Sequence, residues 1–434
     1  MDILAAVERG RRLDLAFQDA IRPFPVRERR WVQEVSYGTV RLRGRLDHLL
    51  ALHLTGNPQG LPPRVRQLLR VGAYQLLYMG GVPTYAAVSE TVDQARSVAR
   101  GGFAPLVNGV LRSLARDGGG ADRFPSSKED PLAHLTTWGS HPSWLVERWL
   151  ARWGPEATHA VVEANNQVPA LHLRPIGLSV EEAMARLGLE SPQGEGEAEA
   201  DTASDSSPFA GAEALPQWGC IRLPSNTDPG AVLALVPGII QDPAASRVSH
   251  LVEPVGKGPV LDLCAAPGGK GLPLAAQGAY VVAADLSPVR LRLTRQNRDR
   301  LGLHVGLVAA DAGQPPFLPA PVVILDAPCS GTGTFSRHPD ARWRLSQGSL
   351  SAMTAVQDRL LDGAARVVAP GGRLLYTTCS MEPEENWERV EAFLARWGIF
   401  EMESDSGGME GPLELLPGDG GTDGAFGTLM RRKA

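Results

Sequence analysis

Cysteine is scarce in this sequence: four residues in 434, none of them in a CxxC pair. So few over such a length exclude a disulfide framework, and without clustered His/Cys spacing a zinc site is also excluded, so no metal is expected. Reduced thiols fit a reducing compartment. Long hydrophobic runs are missing too. No apolar stretch reaches the roughly 18 residues of a membrane span, and residues 1–10 hold two acids and no signal-like apolar core. The expectation is a cytoplasmic protein with no membrane partner. The nucleotide signatures GxxxxGKS/T and GxGxxG are absent as well, which disfavours a nucleoside triphosphate or a dinucleotide ligand.

What is present is ordinary in bulk and uneven in distribution. Hydrophobic residues make up 43% and charged residues 21%, as in soluble globular proteins, and the length exceeds what one core serves, so two or three domains are expected. The net charge of −5 conceals a basic N-terminal part, where residues 1–125 hold eighteen arginines against eleven acids. A basic domain on an acidic chain suggests a polyanionic partner, because guanidinium groups pair bidentately with phosphates. A solvated helical surface is the plainer reading of the same charge. Acids gather instead in 190–213 and 401–423, seven in each.

The first 120 or so residues read as a helical bundle. Val65, Leu68, Leu69, Leu76 and Leu77 recur at helical spacing across 63–79, behind Pro62-Pro63 and ahead of Gly80-Gly81. Residues 89–100 and 106–114 continue the pattern, with a break at Gly101-Gly102. A helix pair is expected over 143–165, then a short alternating strand, LHLRPI, over 171–176. Within 190–213, the stretch 191–211 is low in aromatics and rich in Glu, Ser, Gly and Ala, and is expected to be a disordered insertion.

From residue 259 strand, loop and helix alternate. VLDLC, YVVAADL, HVGLVAAD, VVILDAP and RLLYTTC are apolar runs ending in polar or glycine turns, separated by helix-length stretches such as 287–301 and 349–368. That alternation means parallel strands, crossover helices and ligands at the carboxyl edge. The turn 262–270 closes the first strand, and Gly268-Gly269 allows a backbone approach that a side chain would exclude. Asp285 ends the second strand and is expected to accept both ribose hydroxyls; Asp311 ends the third and is expected to accept from an adenine amino group. Either acid alone is also explained as a helix N-cap, but the ordered set fits S-adenosylmethionine.

Three of the four cysteines follow strand ends: Cys264 in LDLCAAPGGK, Cys329 in DAPCSGTGT and Cys379 in YTTCSMEPEEN. A thiolate is the soft nucleophile needed to add to C6 of a pyrimidine. Amino-group methyltransferases tend to show Asp/Asn-Pro-Pro-aromatic after the fourth strand, gripping an exocyclic nitrogen; here Asp326-Ala327-Pro328-Cys329 puts a thiol in that place, ahead of a flexible Ser330-Gly331-Thr332-Gly333 loop. A lone buried cysteine is usually inert packing, and Cys264 is read that way. Cys329 and Cys379 fall on the ligand edge and are the candidate reactive thiols, but their spacing does not order them. Glu382, Glu384 and Glu385 are expected to begin the helix after the fifth strand, where carboxylates suit the positive end of the dipole.

These motifs resemble those of the Sun/RsmB family of RNA cytosine-5 methyltransferases. LDLCAAPGGK, DAPCSGTGTFSRHPD and YTTCSMEPEEN look like its cofactor, proline-cysteine and threonine-cysteine motifs. ERRWVQEVSYGTVRLRGRLD, LLRVGAYQLLYM, VPTYAAVSETV and FAPLVNGVLRSLAR resemble the bacterial branch that carries a NusB-like RNA-binding domain, and SHPSWLVERWLARWG, PGIIQDPAAS and DGAFGTLMRR extend the match over nearly the whole chain. Two features depart from the family: Pro175-Ile176 stands where it usually has a valine-asparagine pair, and the acidic insertion is extra.

The resemblance implies a multidomain α and α/β protein: a NusB-like all-α bundle over 1–125, a small α+β linking subdomain over 139–250 and a Rossmann-like class I methyltransferase domain over 251–434. It implies S-adenosyl-L-methionine held by Cys264, Ala265, Ala266, Pro267, Gly268, Gly269 and Lys270, with Asp285, Asp311 and Asp326. It assigns attack on C6 to Cys379 and product release to Cys329, with Lys270 in the site beside them. A cation there favours a thiolate, unless it merely pairs with a neighbouring acid. Cytosine C5 is too poor a nucleophile to take a methyl group unaided; thiolate addition at C6 makes it enamine-like, and Asp326 is placed to stabilise the charge that develops at N3. The implied substrate is a cytosine of 16S ribosomal RNA, unassembled and extruded or already in a loop, and the implied enzyme is a monomer. The alternatives are a transfer RNA cytosine-5 methyltransferase, against which only the NusB-like segment argues, and a non-catalytic RNA-binding assembly factor. DNA is not an expected partner, because a DNA enzyme would use the proline-cysteine thiol alone.

Overall fold

The structure, a computed structural model, describes residues 1–56, 58–98, 102–189, 207–225, 227–403 and 411–434. The chain divides into two compact units, one of residues 1–168 with 335–345 and the other of 169–334 with 346–434. Among the described residues no helix is long and apolar enough to cross a membrane.

The first unit is helical. Helices α1 (Asp2–Glu8), α2 (Leu13–Ala20), α3 (Val26–Arg41), α4 (Arg43–Ala51), α5 (Pro63–Tyr78), α6 (Thr84–Val98), α7 (Ala104–Asp117), α8 (Pro131–Thr137) and α9 (Ser143–Asn166) follow in order, and 335–345 adds α15 (Ala341–Arg344). Proline at the first turn presets α5, and its stripe of Val65, Leu68, Leu69 and Ala73 is buried with Val107, Leu111 and Leu114 of α7. The helix pair expected over 143–165 forms: α9 is two helical segments that meet at Gly154, whose φ of 76° and following Pro155 break the helical ladder. Arg342 of α15 is fully buried, and its hydrogen-bond acceptors are neutral: the Ser140, Asn165 and Phe335 carbonyls at 3.3, 2.9 and 3.2 Å and the Asn166 side-chain oxygen at 2.8 Å.

The second unit contains two sheets. In the smaller one, β1 (Leu171–Pro175), β2 (Glu213–Leu215), β3 (Cys220–Leu223) and β4 (Gly238–Ile240) pair antiparallel in the order β2-β3-β1-β4, with α10 (Val180–Arg186) and α11 (Pro229–Leu235). The expected disordered insertion lies outside the described residues as far as 206. Its last part is ordered instead: Phe209 is buried in a cluster with Leu187 and Ile221, and Glu213 begins β2. One aromatic side chain, whose burial contributes about 1.5–3 kcal/mol, anchors a stretch that composition alone assigns to disorder.

The larger sheet holds β5 (Pro259–Leu263), β6 (Tyr280–Asp285), β7 (Val305–Ala309), β8 (Ala320–Asp326), β9 (Val368–Thr378), β10 (Phe400–Met402), β11 (Leu413–Leu415) and β12 (Ala425–Arg432). Its order is β10-β12-β9-β8-β5-β6-β7, with β11 beside β12; β5 to β9 are parallel and β12 is antiparallel to β9. Helices α12 (Pro243–His250), α13 (Gly271–Ala276), α14 (Pro288–Leu301), α16 (Gln347–Arg366) and α17 (Trp387–Arg396) complete the unit. Every strand expected from residue 259 onward forms. The helix expected to open on Glu382, Glu384 and Glu385 does not begin there: these residues form a turn, and α17 starts at Trp387. Pro383 carbonyl accepts from Asn386 and Glu388 in that turn, while the Glu385 side chain is held elsewhere.

Candidate active site

Strand order departs in both directions from β5 and β8, which creates a crevice at their carboxyl ends. The turn after β5 is shaped by its backbone. Cys264 sits at φ 63°, a left-handed conformation unusual for a residue with a side chain, and Gly268 at φ 104°. Gly269 has a second reason to lack a side chain. A Cβ there would lie 2.5 Å from the Gln241 amide nitrogen, which donates to the Gly269 carbonyl at 3.0 Å. The close approach predicted for a ligand is therefore made in part by Gln241, from the PGIIQDPAAS stretch.

Asp285, 2% exposed at the end of β6, accepts from the Ala266 amide at 3.3 Å on one oxygen and from the Ser287 amide at 2.9 Å on the other. Arg290 lies 3.4 Å away and also donates to the Ala266 carbonyl at 2.7 Å. Each carboxylate oxygen keeps a second lone pair, so the pair of acceptors fits a ligand presenting two ribose hydroxyls. Asp311, just beyond β7, is held by Arg359 at 2.7 Å and by the Gly313 amide at 2.8 Å. Burial and the negative charges of Asp326, Asp285 and Asp262 push the Cys264 thiol up to about 12, which works against a nucleophilic thiolate there.

The loops after β8 and β9 bring the other two cysteines together, Sγ to Sγ 3.1 Å, with the Cys379 amide donating to the Cys329 sulfur at 3.3 Å. The hydrogen bond with Cys379, burial and the nearby Glu385 carboxylate raise the Cys329 thiol well above its ordinary range. Lys270, from the cofactor turn, reaches Asp326 at 2.6 Å, and Thr377 donates to the other oxygen of Asp326 at 2.8 Å. The turn after β5 and strand β9 thus converge on the carboxylate that ends β8. Beside them Asp262 is fully buried, and desolvation pushes its carboxyl up to about 7 against the pull of Lys270.

Sequence reasoning missed what holds the two thiol loops. Glu385, fully buried, accepts from the Ser330 amide at 2.8 Å, from the Ser330 hydroxyl and from Gln357 at 3.1 Å, while its own carbonyl takes the Tyr376 hydroxyl at 2.7 Å. Thr332 accepts the Met381 amide at 2.8 Å, and Gly333 donates to the Cys379 carbonyl at 3.0 Å. A Cβ on Gly333 would meet the Gly424 carbonyl at 2.5 Å, so the close passage of the DGAFGTLMRR stretch requires glycine at 333. The signal available was the density of Ser, Thr and Glu around each cysteine, which also suits any exposed loop.

Comparison with known proteins covers nearly the whole chain. The 16S rRNA methyltransferase RsmB/F family profile matches residues 249–431, the NusB family 1–116, and the ferredoxin-like domain of RsmF/B-like methyltransferases 141–194. Ribosomal RNA small subunit methyltransferase B of Sodalis glossinidius is 32% identical over 99% of this chain and 95% of its own length, and the Pseudomonas putida protein of that name is 35% identical over 92% and 89%. The crystal structure of PH0851 superposes with a TM-score of 0.73 at 25% identity, covering 99% of this chain and 98% of that one. The three-part architecture is accordingly a NusB helical domain, a ferredoxin-like linker and a methyltransferase domain, and the cofactor is S-adenosyl-L-methionine. By these full-length matches the chain belongs to the RsmB/F family of ribosomal RNA small subunit methyltransferases.

Proposed function

We propose that this protein methylates C5 of a cytosine in unassembled 16S ribosomal RNA, acting as a monomer through a covalent adduct between Cys379 and C6 of the base. The observation that carries this reading is the pair of thiols 3.1 Å apart beside the Lys270–Asp326 ion pair. Two thiols at contact distance leave one free to assist release of an adduct that the other forms, a division of labour that inert packing cysteines would not need.

Cofactor binding falls to the turn 264–270 with Asp285 and Asp311, and S-adenosyl-L-methionine when bound there supplies the electrophilic methyl group. Cys379 adds to C6, forming the S–C6 bond, while the Lys270 ammonium, held in place by Asp326, offers an N–H donor to the negative charge that develops at N3. Cys329 keeps its proton at rest, because the bond to Cys379, burial and Glu385 all raise it. Its hydrogen can then point at the Cys379 sulfur, 3.1 Å away. Release requires loss of the C5 proton and return of the C6–S electron pair to Cys379, and Cys329 is the group within reach to assist. The basic helical domain would hold the RNA through phosphates, so affinity falls steeply with salt.

Incubation with labelled cofactor and 16S RNA tests the reading. Methyl transfer is expected to RNA cytosine C5 and not to transfer RNA, to vanish in Cys379→Ala, and to stop at a trapped protein–RNA adduct in Cys329→Ala. No transfer to any RNA sinks the enzyme reading; an adduct in Cys379→Ala but not in Cys329→Ala exchanges the two roles.

A further inference from the structure

We propose that the helical unit contains a phosphate-binding cavity centred on Arg43, and that it grips one backbone phosphodiester of the RNA; the choice of RNA rests on the function proposed above. The cavity, about 560 Å³, is lined by three arginines, Arg43, Arg70 and Arg344, and two carboxylates, Glu8 and Asp340. All but one of these charges are already matched. Arg70 makes a bidentate pair with Asp47 at 2.6 and 2.7 Å, Arg344 reaches Asp340 at 3.0 Å, and Glu8 accepts from Arg66 at 2.8 Å and Gln67 at 3.2 Å. Asp340 also takes the Leu13 amide at 3.2 Å.

Arg43 is the exception. Its guanidinium lies over the Trp343 ring, 5.0 Å from the centroid, and its ion pair with Asp47 is a loose 3.9 Å contact to a carboxylate that Arg70 has claimed. Among the described residues its side chain donates no hydrogen bond. Burial and repulsion from Arg70 both press against its positive charge, the situation of a cation short of an anion.

A second donor points to the same conclusion. Helix hydroxyls that lack other work bond the carbonyl one turn back, as Ser36, Thr91, Thr137 and Thr158 do here at 2.6–2.7 Å. Thr39, which also lines the cavity and is 1% exposed, has no partner for its hydroxyl among the described residues. A planar guanidinium and a spare hydroxyl suit a phosphate oxygen pair. One uncompensated positive charge matches a phosphodiester, which carries a single negative charge, better than a free phosphate group carrying about −1.5 to −2 at neutral pH.

The test uses the full chain, measuring binding of a 16S RNA fragment across a salt series for wild type, Arg43→Gln and Thr39→Val. Arg43→Gln is expected to weaken binding about tenfold and to lower the slope of log K against log salt by about 0.7, with cofactor affinity and thermal stability retained. Thr39→Val should lose about threefold with the slope intact. Unchanged affinity and slope in both variants overturn the site. Inorganic phosphate serves as the second probe: if it raises the melting temperature of wild type but not of Arg43→Gln, while RNA binding is the same in both, the RNA occupant is overturned. Wild-type protein that neither binds nor methylates the RNA overturns the RNA reading itself, an outcome visible before any variant is made.

Discussion

The two halves of the ligand edge are built by different means. In the cofactor turn the backbone does the shaping: Cys264 and Gly268 have positive φ, Gly269 lies against Gln241, and the one sulfur present is pushed up to about 12. In the thiol loops side chains do it, with Glu385, Ser330 and Thr332 tying two segments together around sulfurs 3.1 Å apart. The difference teaches that a cysteine's position beside a ligand does not make it reactive. Its neighbours do, and near Cys264 they are three carboxylates and few donors.

Glu385→Gln tests that division most severely. It keeps the shape but weakens the bonds from Ser330 and Gln357, since charge-assisted hydrogen bonds are roughly twice as strong as neutral ones. Methyl transfer should fall by about ten- to a hundredfold, with cofactor affinity unchanged by calorimetry. A comparable loss of cofactor affinity would break the comparison. Gly269→Ala is the converse. Its Cβ would displace the Gln241 amide, 2.5 Å away, so the cofactor dissociation constant should rise about three- to tenfold, while alkylation of Cys329 and Cys379 proceeds at the wild-type rate.

Asp262 sharpens the electrostatic side. Its folded carboxyl is raised to about 7, against about 3.9 in an unfolded chain. The proton is therefore bound more tightly in the native state. The stability linked to it is complete below pH 4 and is lost as pH rises through 7. Asp262→Asn should remove that slope: the melting temperature of the variant minus that of wild type should grow between pH 5 and pH 8, and a flat difference refutes the assignment. The smallest effect belongs to Cys264→Ala. With a thiol disfavoured as a nucleophile and a role carried by its backbone, turnover should stay within about twofold of wild type.

What was legible in the sequence follows the same division. Positions that constrain the backbone leave marks in residue type: Pro62-Pro63 ahead of α5 and Gly268-Gly269 after β5. The five parallel strands were readable because buried strands are near-continuous apolar runs. Glu385 was not. It is one of three glutamates in four residues, and the contacts that give it its role, with Ser330 55 residues earlier and Gln357 28 residues earlier, are invisible in local sequence. Phe209 escaped for a related reason, as a single apolar residue at the end of a polar stretch whose average points to disorder. Local composition averages over a window, whereas burial is decided one side chain at a time by distant partners.

The placement of 335–345 in the helical unit has a consequence for synthesis. Arg342, which fills the interior beside Asn165, leaves the ribosome roughly 170 residues after the rest of that unit. At about 5–20 residues per second the gap is roughly ten to thirty seconds. Through that interval the nascent bundle waits with the Ser140 and Asn165 carbonyls lacking their buried donor. The part of the protein that is translated first is thus among the last to be finished.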